Sequence, residues 1–391
     1  MHWSLDPDVV YLNHGSFGAA PVAVLERQAE LRAQLERQPV RFLAVELEGL
    51  LDEARGRLAA FVGAEPDDLA FVVNATSAVN AVLRSLDLAP ADELLLTSHE
   101  YGASRNALLY AAERSRAQAV FAELPFPVGS EDDLVEAVVR GLTPRTRVLL
   151  IDHVTSPTAL VLPVERIAAA AAERGVLVLV DGAHGPGMVD VDLSALERSG
   201  VAMYAANCHK WICAPKGSGF LWVRRDLQPL VRPTSISHGA SSPRTDRSRF
   251  QLEFDWTGTF DPTAWLCVPD AIDLLGSLLP GGWPELRRRN RALALQGRRL
   301  VCEALGVEPS CPDELVGSMA TVPLTAVEDA DDQPLGERLY ADYRVEAPVM
   351  AFPAPPARIL RLSAQAYNAP EEYAYLAGAL AELTRAPAVR T

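Results

Sequence analysis

Two charged residues in this chain could do chemistry together. Lys210 stands in the run Asn207-Cys-His-Lys-Trp211, and Asp181 closes the strand-like run Val176-Leu-Val-Leu-Val-Asp181 upstream. A lysine amine can hold an aldehyde as a Schiff base, and a carboxylate can keep a pyridine nitrogen protonated so that the ring accepts electrons. The pairing points to pyridoxal phosphate (PLP), with the substrate Cα as the reacting centre. Each residue also has a plainer reading, Lys210 as a surface lysine and Asp181 as a strand-end cap, because most charged side chains are solvated.

The surrounding elements add to the chemical reading. Asp181-Gly-Ala-His184 places an imidazole three residues on, where it could reach the phenolic oxygen of the cofactor. The run from Phe71 through Asn74, Ala75 and Thr76 to Asn80 reads as a short strand, a polar turn and a helix start. A helix N-terminus with free amides and small hydroxyls is a natural phosphate cradle, although such caps begin many helices.

Five islands in fixed order then resemble one family. They are Tyr11-Leu-Asn-His-Gly-Ser-Phe-Gly18, Asn74-Ala-Thr76, His99-Glu-Tyr101, Asp181-Gly-Ala-His184 with Asn207-Cys-His-Lys210, and Arg361-Leu-Ser-Ala-Gln-Ala-Tyr-Asn368. Together they resemble the class V aminotransferase family of fold-type I PLP enzymes, which contains the cysteine desulfurases, and within it the isopenicillin N epimerase-like branch. The resemblance implies an α/β fold, with a mainly parallel central sheet in a large domain plus a smaller α/β C-terminal domain. The expected divisions are 1–16 as an N-terminal segment, 17–260 as the PLP-binding domain and 261–391 as the small domain.

By the same resemblance, Lys210 is the Schiff-base lysine and Asp181 the pyridinium carboxylate. His184 takes the place of a glutamine near the phenolic oxygen, and Thr76, Asn207 and His209 match phosphate-binding positions, with Asn207 departing from the usual hydroxyl. Thr259 matches a residue that reaches the phosphate of the neighbouring subunit, which implies a homodimer. The aromatic plate over the cofactor is His99 or Tyr101. Arg361 matches the arginine that grips the substrate α-carboxylate, a task suited to its planar fork. Asn13 and His14 are expected in the same pocket, and His153 stands near a cofactor-side asparagine of relatives.

Composition sets further bounds. The chain has 391 residues, 49% of them hydrophobic, enough for substantial cores. A net charge of −15 argues against a nucleic-acid or acidic-membrane surface. Five scattered cysteines show neither metal spacing nor a disulfide framework, and no apolar run approaches a bilayer span, so a cytoplasmic protein is expected. No metal site is expected. No Gly-x-Gly-x-x-Gly turn opens the chain, which disfavours a nicotinamide enzyme. A catalytically silent scaffold would usually lose Lys210 or Asp181.

Strand-like and alanine-rich helical runs alternate, the pattern of a parallel sheet covered by helices. Helical spacing covers 22–38, 44–61 and 164–174; buried strands are expected at 93–97, 148–152 and 177–181. The segment 232–250 reads as a mobile loop or interface arm, and Arg287-Arg-Arg289 as a solvated helix face.

The outcome at Cα is less constrained than the cofactor. Cysteine desulfurases carry a nucleophilic cysteine on a loop before the carboxylate-binding arginine, and residues 343–352 contain none. The remaining outcomes are epimerisation, loss of a Cβ substituent as in a C–S lyase, or amino transfer. The epimerase-like islands favour the first. Epimerisation needs acid/base groups on both faces of the reacting carbon, with Lys210 as one and His99, Tyr101 or His14 as the other.

Overall fold

The computed structural model describes residues 2–324 and 334–384. Parts of the expected small domain, 325–333 and 385–391, lie outside the described residues. A seven-stranded sheet is built from β1 (Leu69–Val72), β2 (Glu93–Thr97), β3 (Gln118–Ala122), β4 (Thr146–Asp152), β5 (Leu177–Asp181), β6 (Val201–Asn207) and β7 (Gly219–Val223). Its order is β1-β7-β6-β5-β4-β2-β3, parallel throughout except for β7, which runs against both neighbours.

The near-continuous apolar runs follow from this placement, because a parallel sheet is covered on both faces. Along β4, Leu149 and Ile151 join one core and Val148 and Leu150 the other. The strands nevertheless end on polar residues: Thr97, Asp152, Asp181 and Asn207 close β2, β4, β5 and β6. Ligand crevices form at the carboxyl ends of parallel strands, so these four residues mark the rim.

A second sheet, of order β9-β10-β8, is antiparallel and comprises β8 (Met319–Pro323), β9 (Val349–Ala351) and β10 (Arg358–Ser363). The N-terminal segment reaches it: Val10–Tyr11 pairs in parallel with Val345–Glu346, and the Ser363 amide bonds to the Leu12 carbonyl. The 24-residue helix Gly282–Leu305 packs beside this sheet and against the helix Pro370–Thr384.

Several elements differ from the sequence reading. The helix expected over 44–61 begins with a π-helical turn, Phe42–Glu46, and becomes α-helical at Leu47–Val62. That wider turn leaves Phe42 buried, with Val40 and Val45 facing outward. The segment 232–250, expected as a mobile loop or interface arm, makes ion pairs with the rest of the chain: Arg244 with Glu48, Arg247 with Glu48 and Asp52, and Arg232 with Glu253. The basic run is solvated only in part, at the exposed Arg288. Arg287 pairs with Asp190 and lies near the Phe61 and Trp283 rings, while Arg289 donates to the Gln365 and Asn368 carbonyls just after β10.

Gly182, directly after Asp181, makes a close approach that fixes the end of β5. A Cβ there would lie 2.1 Å from the Tyr204 ring. Gly182→Ala should therefore cost about 1–3 kcal/mol through overpacking. Urea unfolding of the full-length protein measures this, and an unchanged midpoint would show that the Tyr204 ring yields freely.

Candidate active site

The site is built where the carboxyl ends of β4, β5 and β6 meet the helix Ala75–Ser85 and the β10 strand. Asp181 is buried; its Oδ2 accepts from Ser104 Oγ at 2.6 Å and its Oδ1 from the Ala183 amide at 3.0 Å. Burial raises its pKa, with those bonds and the Lys210 charge opposing. A cation beside it, such as a protonated pyridine nitrogen, favours the ionised form.

Lys210 is also buried, and its Nζ lies 3.0 Å from His184 Nε2. On the other side of that ring, Trp211 Nε1 donates to His184 Nδ1 at 3.2 Å. An indole N–H can only donate, so Nδ1 accepts and the neutral imidazole carries its proton on Nε2. Burial, reinforced by the Lys210, Arg361 and His14 charges, holds the His184 pKa well below its ordinary value. Nε2–H thus faces an amine that can accept only when unprotonated. Burial lowers Lys210 to about 8 against the opposing pull of Asp181. The same imidazole proton is available to a phenolic oxygen once the amine is engaged elsewhere.

The phosphate cradle is partly occupied by the protein itself. Asn74 Oδ1 caps the helix by accepting from the Ser77 amide at 2.8 Å, and Asn207 Oδ1 accepts from the Ala75 amide at 2.8 Å. Asn207 thereby joins the end of β6 to the helix start. The Thr76 amide and hydroxyl make no hydrogen bond among the described residues, which suits an anion at this N-terminus. His209 Nδ1 donates to the Ser218 carbonyl at 2.8 Å, leaving Nε2 as the ring's free nitrogen. Gly18 lies so close that a Cβ would sit 2.1 Å from the His209 carbonyl oxygen, and its φ is +71°. Thr259 is exposed and does not meet the cradle within the chain; Thr257 is the threonine lining the cleft beside Ser77.

Arg361 is only 3% exposed, yet among the described residues no carboxylate pairs with it. Its Nη2 donates to Ser16 Oγ at 2.9 Å, its Nη1 to the Ser156 carbonyl, and its Nε has no partner. A buried guanidinium without a counter-charge is built to receive an anion. Asn13 accepts from Ser16 Oγ and donates to Glu346, so it steadies the serine that steadies the arginine.

The candidate aromatic and histidine groups separate clearly. Lys210 Nζ lies 5.9 Å from the centre of the Tyr101 ring, and Tyr101 is partly exposed. His99 is buried, bonds Thr158 Oγ1 at 2.9 Å and packs edge-on against Phe352 at 4.7 Å. Burial depresses its pKa to about 4. His14 does not open on the pocket: it is fully buried, with Nε2 on the Lys210 carbonyl and Nδ1 on Tyr367. His153 likewise bonds the Tyr204 hydroxyl at 2.8 Å, and its own amide donates to the Asp181 carbonyl. All five cysteines are free and buried.

Sequence reasoning missed Ser104, Trp211, Ser16 and Ser156. A serine in the first turn of the alanine-rich helix Gly102–Ser115 was the available signal for Ser104; for the others only the fold supplies the partner.

Only the unprotonated amine reacts with an acylating reagent, so labelling of Lys210 in full-length apoprotein should rise with pH to a midpoint of about 8. Trp211→Phe removes the donor that fixes the His184 tautomer and should slow that labelling several-fold. Peptide mass spectrometry reads both, and a midpoint near the ordinary lysine value of about 10.4 would contradict the assignment.

Comparison with known proteins agrees with this geometry. Residues 10–296 match the family described as aminotransferase class-V. Isopenicillin N epimerase of Amycolatopsis lactamdurans is 38% identical over 394 residues, covering 98% of this chain and 97% of that protein. A probable chloroplastic L-cysteine desulfhydrase of Arabidopsis thaliana is 31% identical over 405 residues, covering 97% of this chain and 84% of that protein. Among solved structures, the cystine C-S lyase C-DES in complex with cysteine persulfide superposes with a TM-score of 0.78 at 23% identity, covering 96% of this chain and 98% of that one. Among the described residues no helix is long and apolar enough to cross a membrane. The chain belongs to the class V aminotransferase family and is a pyridoxal phosphate enzyme.

Proposed function

We propose that this enzyme inverts the configuration at Cα of an amino acid or amino-acid derivative, as an isopenicillin N epimerase-like epimerase or racemase. The observation that carries the reading is the facing pair Lys210 and Tyr101, at 5.9 Å from amine to ring centre, in a site whose other candidate bases are already engaged. Bound pyridoxal phosphate draws electron density from the bonds to Cα, which lets the Cα proton leave. Arg361 binds the substrate carboxylate through its unpartnered Nε–H and an N–H left over on the fork, and so sets which Cα bond is exposed. Thr76 and the helix N-terminus bind the cofactor phosphate, Asp181 pairs with its ring nitrogen, and His184 Nε2–H donates to its phenolic oxygen. Lys210 takes the Cα proton from one side; the Tyr101 hydroxyl returns one from the other.

A second reading, β-elimination from an S-substituted cysteine, is favoured by the desulfhydrase relatives. It uses the same carboxylate anchor and the same proton removal. Cysteine desulfuration has less support, because burial pushes the thiols of Cys208, Cys213, Cys267, Cys302 and Cys311 up. A homodimer accounts for the exposed Thr259 and for the outward-facing Phe17, Val40 and Val45, since a partner subunit would cover them. The free cysteines fit a cytoplasmic location.

With a bound amino-acid substrate in deuterium oxide, Cα hydrogen should exchange. Inversion without pyruvate or ammonia supports the epimerase, and prompt release of both supports the lyase. Arg361→Lys keeps the charge but loses the fork, so exchange should fall at least tenfold, about 1.4 kcal/mol in the barrier, while cofactor absorbance persists. Asp181→Asn should cost two orders of magnitude or more in turnover, about 3 kcal/mol. Near-full activity in Asp181→Asn would sink the ring-nitrogen role.

A further inference from the structure

Behind Asp181 lie two carboxyl groups to which the proposed reaction assigns no step. Asp152 ends β4 and is the register partner of Asp181 at the end of β5. Glu100 reaches the same point from the turn after β2. One carboxylate oxygen each from Glu100, Asp152 and Asp181 lie within 4.8 Å of one another, and all three residues are buried. Among the described residues, both Glu100 oxygens and Asp152 Oδ2 make no well-formed hydrogen bond, although the Tyr101 amide faces Glu100 and Glu100 is 93% buried by its 7% exposure.

Three ionised carboxylates cannot share that space without a counter-charge. The charged and titratable groups facing it are few: Lys210 lies on the Asp152 and Asp181 side, and Tyr204 on β6 stands behind Asp181. Among the described residues no arginine or lysine pairs with Glu100. Orphaned acceptors so close together are satisfied most simply by a proton, which turns one acceptor into a donor.

We propose that Glu100 and Asp152 hold one proton between them, Glu100 donating to Asp152, and that this pair acts with Asp181 to set the negative charge facing Lys210 and the cofactor nitrogen. Burial and the repulsion of Asp152 and Asp181 push Glu100 toward its protonated form; burial and Asp181 raise Asp152 as well, but the bond from Glu100 and the Lys210 charge oppose that rise and favour Asp152 as the acceptor. Glu100 and Asp152 are positioning residues, acting through Asp181 and Lys210. Their effect on the cofactor rests on the role proposed above for Asp181, whereas the shared proton does not.

Infrared difference spectra of the full-length protein at pH 8 test the proton directly. The wild type should show the carbonyl stretch of a protonated carboxyl group, shifted in deuterium oxide, lost in Glu100→Gln and kept in Asp181→Asn. No such band in the wild type, or a band lost only in Asp181→Asn, overturns the proposal. The wild-type spectrum decides alone if a variant fails to fold. In the holoenzyme, the pH midpoint of the cofactor's visible absorbance should hold steady in Glu100→Gln, which replaces one neutral donor with another. In Asp152→Asn it should fall by about half a unit or more, because a negative charge is lost. Equal shifts in both variants would mean that Glu100 is ionised, and an unmoved midpoint in Asp152→Asn that the pair's charge is not felt; either refutes the proposal. So would a stoichiometric metal ion in the purified protein. A holoenzyme without visible absorbance would instead count against the cofactor reading and leave the infrared result intact.

Discussion

Taking charge out of water is the constraint on which the arrangement of this molecule depends. Lys210, Asp181 and Arg361 are all withdrawn from solvent, and each would be costly to bury alone. The fold offsets that cost with oriented neighbours: Ser104 and the Ala183 amide for the carboxylate, the tautomer-locked His184 for the amine, Ser16 and the Ser156 carbonyl for the guanidinium. What is left unpaired after those bonds is what a ligand can use. The Arg361 Nε and the Thr76 amide are two such groups, both suited to an anion.

The parallel sheet makes this possible because its strands stop together. Apolar runs such as Leu94-Leu-Leu96 and Val178-Leu-Val180 fill both cores, and the next residue of each emerges at one rim with a polar side chain. The second sheet then brings Arg361 to that rim, and the N-terminal segment locks between them through Asn13, His14 and Gly18. His14 holds the carbonyl of Lys210 itself, so the N-terminal segment positions the amine by a route separate from the large sheet.

Much of this was legible in the sequence wherever residue type alone carries meaning. Lys210, Asp181, Arg361 and the Asn74–Thr76 helix start are chemically distinctive and occur in a recognisable order, and the buried strands announce themselves by unbroken apolar runs. Partnership was harder to read. His14 and His153 are as reactive in type as any catalytic imidazole, yet Tyr367, Tyr204 and backbone carbonyls occupy them. Arg289 looked solvated because a basic run usually is; only the fold places the Gln365 and Asn368 carbonyls within its reach. The Glu100 and Asp152 pairing depends on strand register, which a sequence does not spell out.

The Phe352 side chain has a further meaning for the traffic of atoms. It is buried against His99 and Phe126, two rings that belong to the large-sheet half of the chain, and so it stakes the segment between β9 and β10 to the opposite wall. A relay that hands an atom from one protein to another needs a carrier arm that swings between interior and surface. A staked segment is a wall instead. Under the reaction proposed above, product leaves as a free small molecule, so a wall suits this site where a carrier arm would serve no step.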